Sequence, residues 1–147
     1  MRLTLVAAAS AVIACAEVDP PEPEPVLPAD YQTTFVEVRN CRSSIEHNSV
    51  FVVVRTAPAA APIYQGGPFP FPAGTVVVQE EYADARCMQR TRWTVMKKEG
   101  EGYDAAGGDW SWYTLDRFQR TIEKGKLAHC VRCHMECRAR DFTCAAP

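Results

Sequence analysis

The sequence predicts an α+β fold that is mainly an antiparallel β-sheet, with an N-terminal helix and a C-terminal helix. The sheet is predicted by apolar, β-branched runs that recur about every 15–20 residues and are separated by turns rich in glycine or proline. The helices are indicated by a capping residue, Asp30, and by a charged segment near the C-terminus.

Each element follows from a local pattern. Asp30 can cap a helix over residues 31–40, where several β-branched residues lower the helix propensity. Residues 116–127 mix charged and apolar side chains and predict a partly helical segment. Apolar, β-branched runs predict four strands, over residues 49–56, 75–82, 92–97 and 109–115.

The N-terminus is typical of an exported protein. Arg2 precedes an apolar stretch that is too short to span a bilayer, so residues 1–14 predict a signal peptide. The segment before Cys15 resembles a bacterial lipobox, which predicts cleavage before Cys15 and lipidation of its thiol. The alternative is an Ala-x-Ala site with cleavage before Glu17, which would leave a protein that is soluble in the periplasm.

A tether is predicted between this signal and a folded domain. Residues 16–29 contain five prolines and four acidic residues, a composition that favours an extended, solvated chain. We therefore assign residues 15–29 to a lipidated, proline-rich tether and residues 30–147 to one domain. The net charge of -2, with no basic stripe, argues against a nucleic-acid partner.

The spacing of Cys130, Cys133 and His134 is that of a c-type haem attachment motif. Two thiols three residues apart lie along one helical turn, where they can add to the two vinyl groups of a haem. The neighbouring imidazole can then bind the iron. The sequence thus predicts a haem-bearing C-terminal helix with one covalent haem c.

Zinc is the main alternative at this motif. Cys130 and Cys133 with Cys137 and Cys144, or with His129 and His134 in place of one, are a tetrahedral ligand set. Such a site needs thiolates, and an oxidising compartment disfavours them. A third interpretation is a module held by disulfides alone, with His134 at the surface.

Four other cysteines are candidates for disulfides: Cys41, Cys87, Cys137 and Cys144. This even number fits two bridges, for which three pairings exist, and the sequence does not choose among them. Cys137 and Cys144 are close along the chain, and their pairing would leave Cys41 with Cys87.

The order of these segments resembles that of the cytochrome P-460 family. The segments are DYQTTFVEVRN, HNSVFVVVRT, GTVVVQEEY, GGDWSWYTL and CVRCHMECRARDFTC, and together they cover about residues 30–144. The resemblance implies a small, exported, β-rich cytochrome with one haem near its C-terminus. Members that oxidise hydroxylamine carry a lysine bonded to the haem ring, and Gln79 stands at the matching position here. The cross-link is therefore expected to be absent, as in relatives resembling the c-prime-beta cytochromes, which bind nitric oxide.

The resemblance also implies a distal pocket. Arg55 matches a family arginine near the distal face, and Gln79 is a second candidate to hydrogen-bond a ligand on the iron; the alternative is that both face solvent. Phe51, Phe69 and Phe71 are candidates for an apolar wall over the haem. His47, Met88 and Met96 are candidate sixth ligands, but the resemblance implies an open position.

Three functions follow, the first from the resemblance and the other two from the cysteine and histidine patterns. The first is a mono-haem cytochrome that binds a small ligand such as nitric oxide, or processes a small nitrogen compound, at an open site. The second is a six-coordinate electron-transfer cytochrome, and the third is a structural zinc or disulfide module. Expected partners are a small gaseous or nitrogenous ligand, a redox protein, the membrane on its periplasmic side and a second copy of the chain.

Overall fold

A computed structural model describes residues 24–144 and confirms the α+β class. Its centre is a six-stranded antiparallel sheet with the strands in chain order. The strands are β1 (Val36–Ser44), β2 (Val50–Thr56), β3 (Val76–Tyr82), β4 (Arg90–Lys98), β5 (Trp110–Leu115) and β6 (Thr121–Gly125). The helices are α1 (Tyr31–Thr34), α2 (Ala61–Gly66) and α3 (Ala128–His134), with 3-10 turns at Ile45–His47, Ala105–Gly107 and Met135–Arg140.

The predicted N-terminal helix is shorter than expected. It ends at Thr34, and the rest of the segment predicted as helix belongs to β1. The β-branched residues there pair with β2, beginning with Val36 opposite Thr56. These residues form a strand instead of a helix because β-branched side chains fit a pleated surface better than a helix.

The prediction of a partly helical segment over residues 116–127 is wrong. The Asp116 carboxylate accepts the backbone N–H groups of Phe118 and Arg120, which forms a turn after β5. The chain then returns as β6, with Lys124 opposite Tyr113. Alternating exposure along an edge strand explains its charged composition.

The sheet has two faces with different partners. On the α3 face, Val54, Val77, Met96 and Trp112 join the core cluster against which α3 packs. On the α1 face, a second cluster is formed by Tyr31, Val78, Trp93, Val95 and Leu115, with Leu27. Successive side chains of a strand point to opposite faces, so these memberships tell which way the residues of the regular strand segments point.

A buried carboxylate holds α1 on its face of the sheet. Glu80 accepts hydrogen bonds from the hydroxyls of Tyr31 (2.7 Å) and Tyr82 (2.9 Å) and ion-pairs with Arg55 and Arg90. Burial acts to raise the pKa of Glu80, but these hydrogen bonds and the Arg90 charge outweigh it and lower the pKa. Glu80 therefore stays ionised and fully paired.

A second buried ion pair holds the chain that follows α3. The Nζ atom of Lys98 lies 2.7 and 2.8 Å from the two carboxylate oxygens of Asp141 and donates to the carbonyl of Gly108. The same carboxylate accepts the N–H of Phe71, and the indole of Trp110 donates to the Asp141 carbonyl. Asp141 thus joins the C-terminal segment to β4, β5 and the proline-rich loop before β3.

Two disulfides complete the fold. Cys41 is bonded to Cys87, which joins β1 to the β3–β4 loop across 46 residues of sequence. Cys137 is bonded to Cys144, which closes a short loop after α3. Of the three possible pairings, the structure thus has the one in which Cys137 bonds to Cys144 and Cys41 bonds to Cys87. Long loops gain most from cross-linking, so Cys41–Cys87 contributes more to stability in the entropic account.

We predict that Lys98→Met lowers the free energy of unfolding by about 3–5 kcal/mol, because it leaves the Asp141 charge buried without a partner. The matched control is Lys97→Met on the same strand, whose lysine pairs with Glu99 near the surface. It should cost less than about 1 kcal/mol. Denaturant unfolding followed by tryptophan fluorescence measures both, and equal costs would contradict the role given to Lys98.

Candidate cofactor site

Helix α3 carries the three motif residues on one turn and a half. Cys130 and Val131 pack against the core cluster of the α3 face, whereas Cys133 is exposed. Within residues 24–144, Cys130 and Cys133 are the free cysteines. Burial, with the nearby Glu123 carboxylate and the Cys133 thiol, raises the pKa of Cys130 to about 11. Its thiol is therefore protonated at neutral pH.

His134 is held in the orientation of a metal ligand. Its Nδ1 lies 2.7 Å from the carbonyl oxygen of Phe142, and a carbonyl can only accept, so Nδ1 carries the proton. The Trp112 ring packs edge-on against the imidazole at 4.6 Å between centroids. Burial lowers the pKa of His134, which keeps the ring neutral and leaves Nε2 without a proton and able to bind a metal.

His47 is brought to the same place from the tip of the β1–β2 hairpin. Its ring centroid lies 6.2 Å from that of His134, and its Nδ1 lies 2.8 Å from the Ser44 hydroxyl. Burial lowers the pKa of His47 as well. The other two candidate sixth ligands lie elsewhere, because Met88 is 78% exposed on a loop and Met96 packs inside the core cluster.

Beyond the core cluster, the α3 face of the sheet carries polar side chains. Alternation from Val77 places Gln79 and Glu81 on this face, and Gln79 donates to the Thr94 hydroxyl at 3.2 Å. Glu81 is fully buried and ion-pairs with Arg92. Among the described residues, three buried side-chain atoms have no hydrogen-bond partner, and two of them, one Glu81 oxygen and the Trp112 indole nitrogen, lie on this face. A buried polar atom without a partner is costly, so this face has unmet hydrogen-bonding capacity beside His134.

The structure separates Arg55 from this site. Arg55 is opposite Val78 in the sheet register and therefore points to the α1 face, where it pairs with Glu80 (3.2 Å) and Glu37 (3.4 Å). Its guanidinium serves the carboxylate network under α1 instead of a pocket beside His134. The difference arises because neighbouring strand residues point to opposite faces, and Val54 takes the α3 face.

The three phenylalanines also separate. Phe51 is opposite Tyr82 and points to the α1 face. Phe69 and Phe71 belong to the α3 side, where their rings lie 5.8 Å apart and Phe71 contacts Trp110 at 5.6 Å. The structure therefore does not bring all three together, and Phe69 and Phe71 are part of the core beside the site.

The zinc alternative loses two of its four cysteine ligands in this structure. Cys137 and Cys144 are bonded to each other, and His129 pairs with Glu123 at 3.3 Å. Over residues 24–144, no group of three or more His, Cys, Asp or Glu side chains is arranged to hold a metal ion.

The predicted signal peptide and the lipidation site at Cys15 lie outside the described residues. No helix within residues 24–144 is long and apolar enough to cross a membrane.

We predict that Gly108→Ala destabilises the protein more than Gly102→Ala. Both glycines have positive φ, so each substitution carries a backbone cost of about 1–2 kcal/mol. A Cβ at Gly108 would also collide with the Phe142 ring, whereas Gly102 is surrounded by open space. We expect about 1–3 kcal/mol more for Gly108→Ala in denaturant unfolding. Equal costs would show that Phe142 is not fixed against β5.

Comparison with known proteins agrees with this geometry. The sequence model of the cytochrome P-460 family matches residues 28–144, which is most of the chain. A search of curated proteins finds no match.

Proposed function

Since this chain belongs to the cytochrome P-460 family, which implies a haem cofactor, we propose that it is an exported c-type cytochrome with one haem bonded to Cys130 and Cys133 and ligated by His134. The observation that carries the proposal is the state of the cysteines. The described disulfides take up four of them and leave two thiols one helical turn apart, directly before a neutral imidazole.

The residues present fit a haem. Thioether formation needs two free thiols on one turn, and α3 supplies them. Iron ligation needs a neutral imidazole whose second nitrogen is anchored, and the Phe142 carbonyl anchors His134. The unpartnered indole N–H of Trp112 lies on the adjoining face, where it can donate to a propionate of the haem.

When bound, haem supplies an iron that changes oxidation state and accepts a small axial ligand. The chain supports this chemistry in three ways. Phe142 and Trp112 fix the orientation of His134. The core under α3 excludes water from one side. Gln79 is the amide on the α3 face that we propose to donate a hydrogen bond to a ligand, in exchange for its bond to Thr94.

The absence of a lysine at position 79 sets the reactivity that we propose. A glutamine amide is not a comparable nucleophile, and the nearest lysines on β4 are otherwise engaged. Lys97 points to the α1 face, and Lys98 is buried against Asp141. We therefore propose binding of a small ligand such as nitric oxide, without oxidation of hydroxylamine.

The proposed location is the periplasmic side of a bacterial membrane, with a lipid on Cys15. It is supported by the two disulfides, since such bonds persist in oxidising compartments. In this setting a redox protein and a second copy of the chain are the proposed macromolecular partners.

We predict that the haem is covalently attached. Protein made together with a haem-attachment system should carry one haem mass on the peptide that contains Cys130 and Cys133. Acid-acetone extraction should not remove it. The double variant Cys130→Ser/Cys133→Ser should lose the covalent haem, whereas the matched control Cys137→Ser/Cys144→Ser should keep it. Extraction of the haem from the natural protein would refute the proposal.

We also predict that no third bond joins the chain to the haem ring. Proteolysis of the holoprotein should release a haem peptide that contains only residues around α3, because Gln79 is no nucleophile and Lys98 is held by Asp141. Hydroxylamine should not be turned over above the rate of free haem peptide. A peptide from β3 or β4 bonded to the ring would contradict this expectation.

A further inference from the structure

We propose that His47 is the second axial ligand of the haem iron, on the side opposite His134. The iron is then six-coordinate at rest, and a diatomic gas binds by displacing His47. This inference rests on the proposed function, because it takes His134 as the first ligand, but it adds a residue that regulates access to the same site.

The distance between the two rings fits a shared metal. Their centroids are 6.2 Å apart. A metal–imidazole bond is about 2.0–2.1 Å long and the ring centre lies about 1.1 Å beyond the nitrogen, so two trans imidazoles have centroids about 6.2 Å apart. The planes of His47 and His134 differ by 66°, which two rings can adopt by rotation about a common axis.

The hydrogen bonds of the two rings are also those of a ligand pair. His134 donates from Nδ1 to the Phe142 carbonyl, and Nδ1 of His47 lies 2.8 Å from the Ser44 hydroxyl. In His134 the carbonyl fixes the tautomer and leaves Nε2 to coordinate. In His47 the serine hydroxyl can accept from Nδ1–H, a bond that orients the ring and likewise leaves Nε2 to coordinate.

The hairpin that carries His47 is shaped to present it. The 3-10 turn Ile45–His47 is followed by Asn48 and Ser49, which both have positive φ (60° and 58°). Two successive left-handed residues without glycine are unusual and occur where the surroundings hold them in place. The disulfide between Cys41 and Cys87 holds β1 against the β3–β4 loop. This loop and the turn that carries His47 lie at the same end of the sheet.

Two charged groups face this histidine from the sheet, and one comes from its own turn. Glu81 and Arg92, on β3 and β4, interact with His47 electrostatically, as does Glu46. Glu81 and Arg92 pair with each other. The acidic groups favour a partial positive charge on an imidazole bound to iron. Among the described residues, His47 is in no salt bridge that would occupy its Nε2.

The test is ligation of the full-length holoprotein, read by absorption and electron paramagnetic resonance spectra. We expect a low-spin ferric iron with two imidazoles. His47→Ala should convert it to high spin, and added imidazole should restore low spin. Binding of carbon monoxide to the ferrous form should tighten by about tenfold or more, because the binding-competent state is no longer a minor one. Met88→Ala, the matched control for an alternative ligand, should change nothing.

Ser44→Ala is a milder substitution that tests the same ligand in case His47→Ala does not fold. Ser44→Ala removes only the hydroxyl near Nδ1 and should raise the high-spin fraction of an otherwise intact protein. High-spin iron in the natural protein, or low-spin iron that persists in His47→Ala, overturns the inference. A failure of the proposed function looks different, since the haem would then be extractable or His134→Ala would leave the spectrum unchanged.

Discussion

The ion pair between Lys98 and Asp141 is the interaction on which the site depends. Asp141 and Phe142 both have positive φ, so the chain reverses sharply after the last 3-10 turn. The Asp141 carboxylate holds this reversal against β4 and the loop before β3. The next carbonyl, that of Phe142, is thereby placed on Nδ1 of His134. The orientation of the His134 imidazole thus follows from a buried charge pair at the residue before Phe142.

Alternation along the strands decides which polar residues belong to the site. Gln79 and Glu80 are adjacent, yet Gln79 lies on the α3 face with Thr94 and Glu80 lies under α1 with Tyr31. Arg55 also lies on the α1 face, where it forms an ion pair with Glu80. One face therefore carries a saturated network that stabilises the fold. The other face keeps the unpaired Glu81 and Trp112 atoms beside the histidines.

Much of this was predictable from local patterns, and the rest depended on distant contacts. The four central strands and the turn of Cys130 and Cys133 are encoded by periodicity and spacing, and each was predicted within about two residues. The segments after Thr34 and Asp116 became β1 and β6 because they pair with neighbours, which composition does not reveal. The face of Arg55 required the register with Val78. The approach of His47 to His134 required the closed hairpin and the folded C-terminus.

The raised pKa of Cys130 has a consequence for maturation. The described chain has six cysteines, four of which are in disulfides, and Cys137 follows Cys133 by about one helical turn. Disulfide exchange proceeds through the thiolate, and a thiol with a pKa of about 11 is ionised in only about one molecule in 10,000 at neutral pH. Once α3 has docked, its buried thiol is therefore a poor participant in scrambling. A protonated Cys130 thus favours the two bridges that the structure contains over a bridge to Cys130 itself.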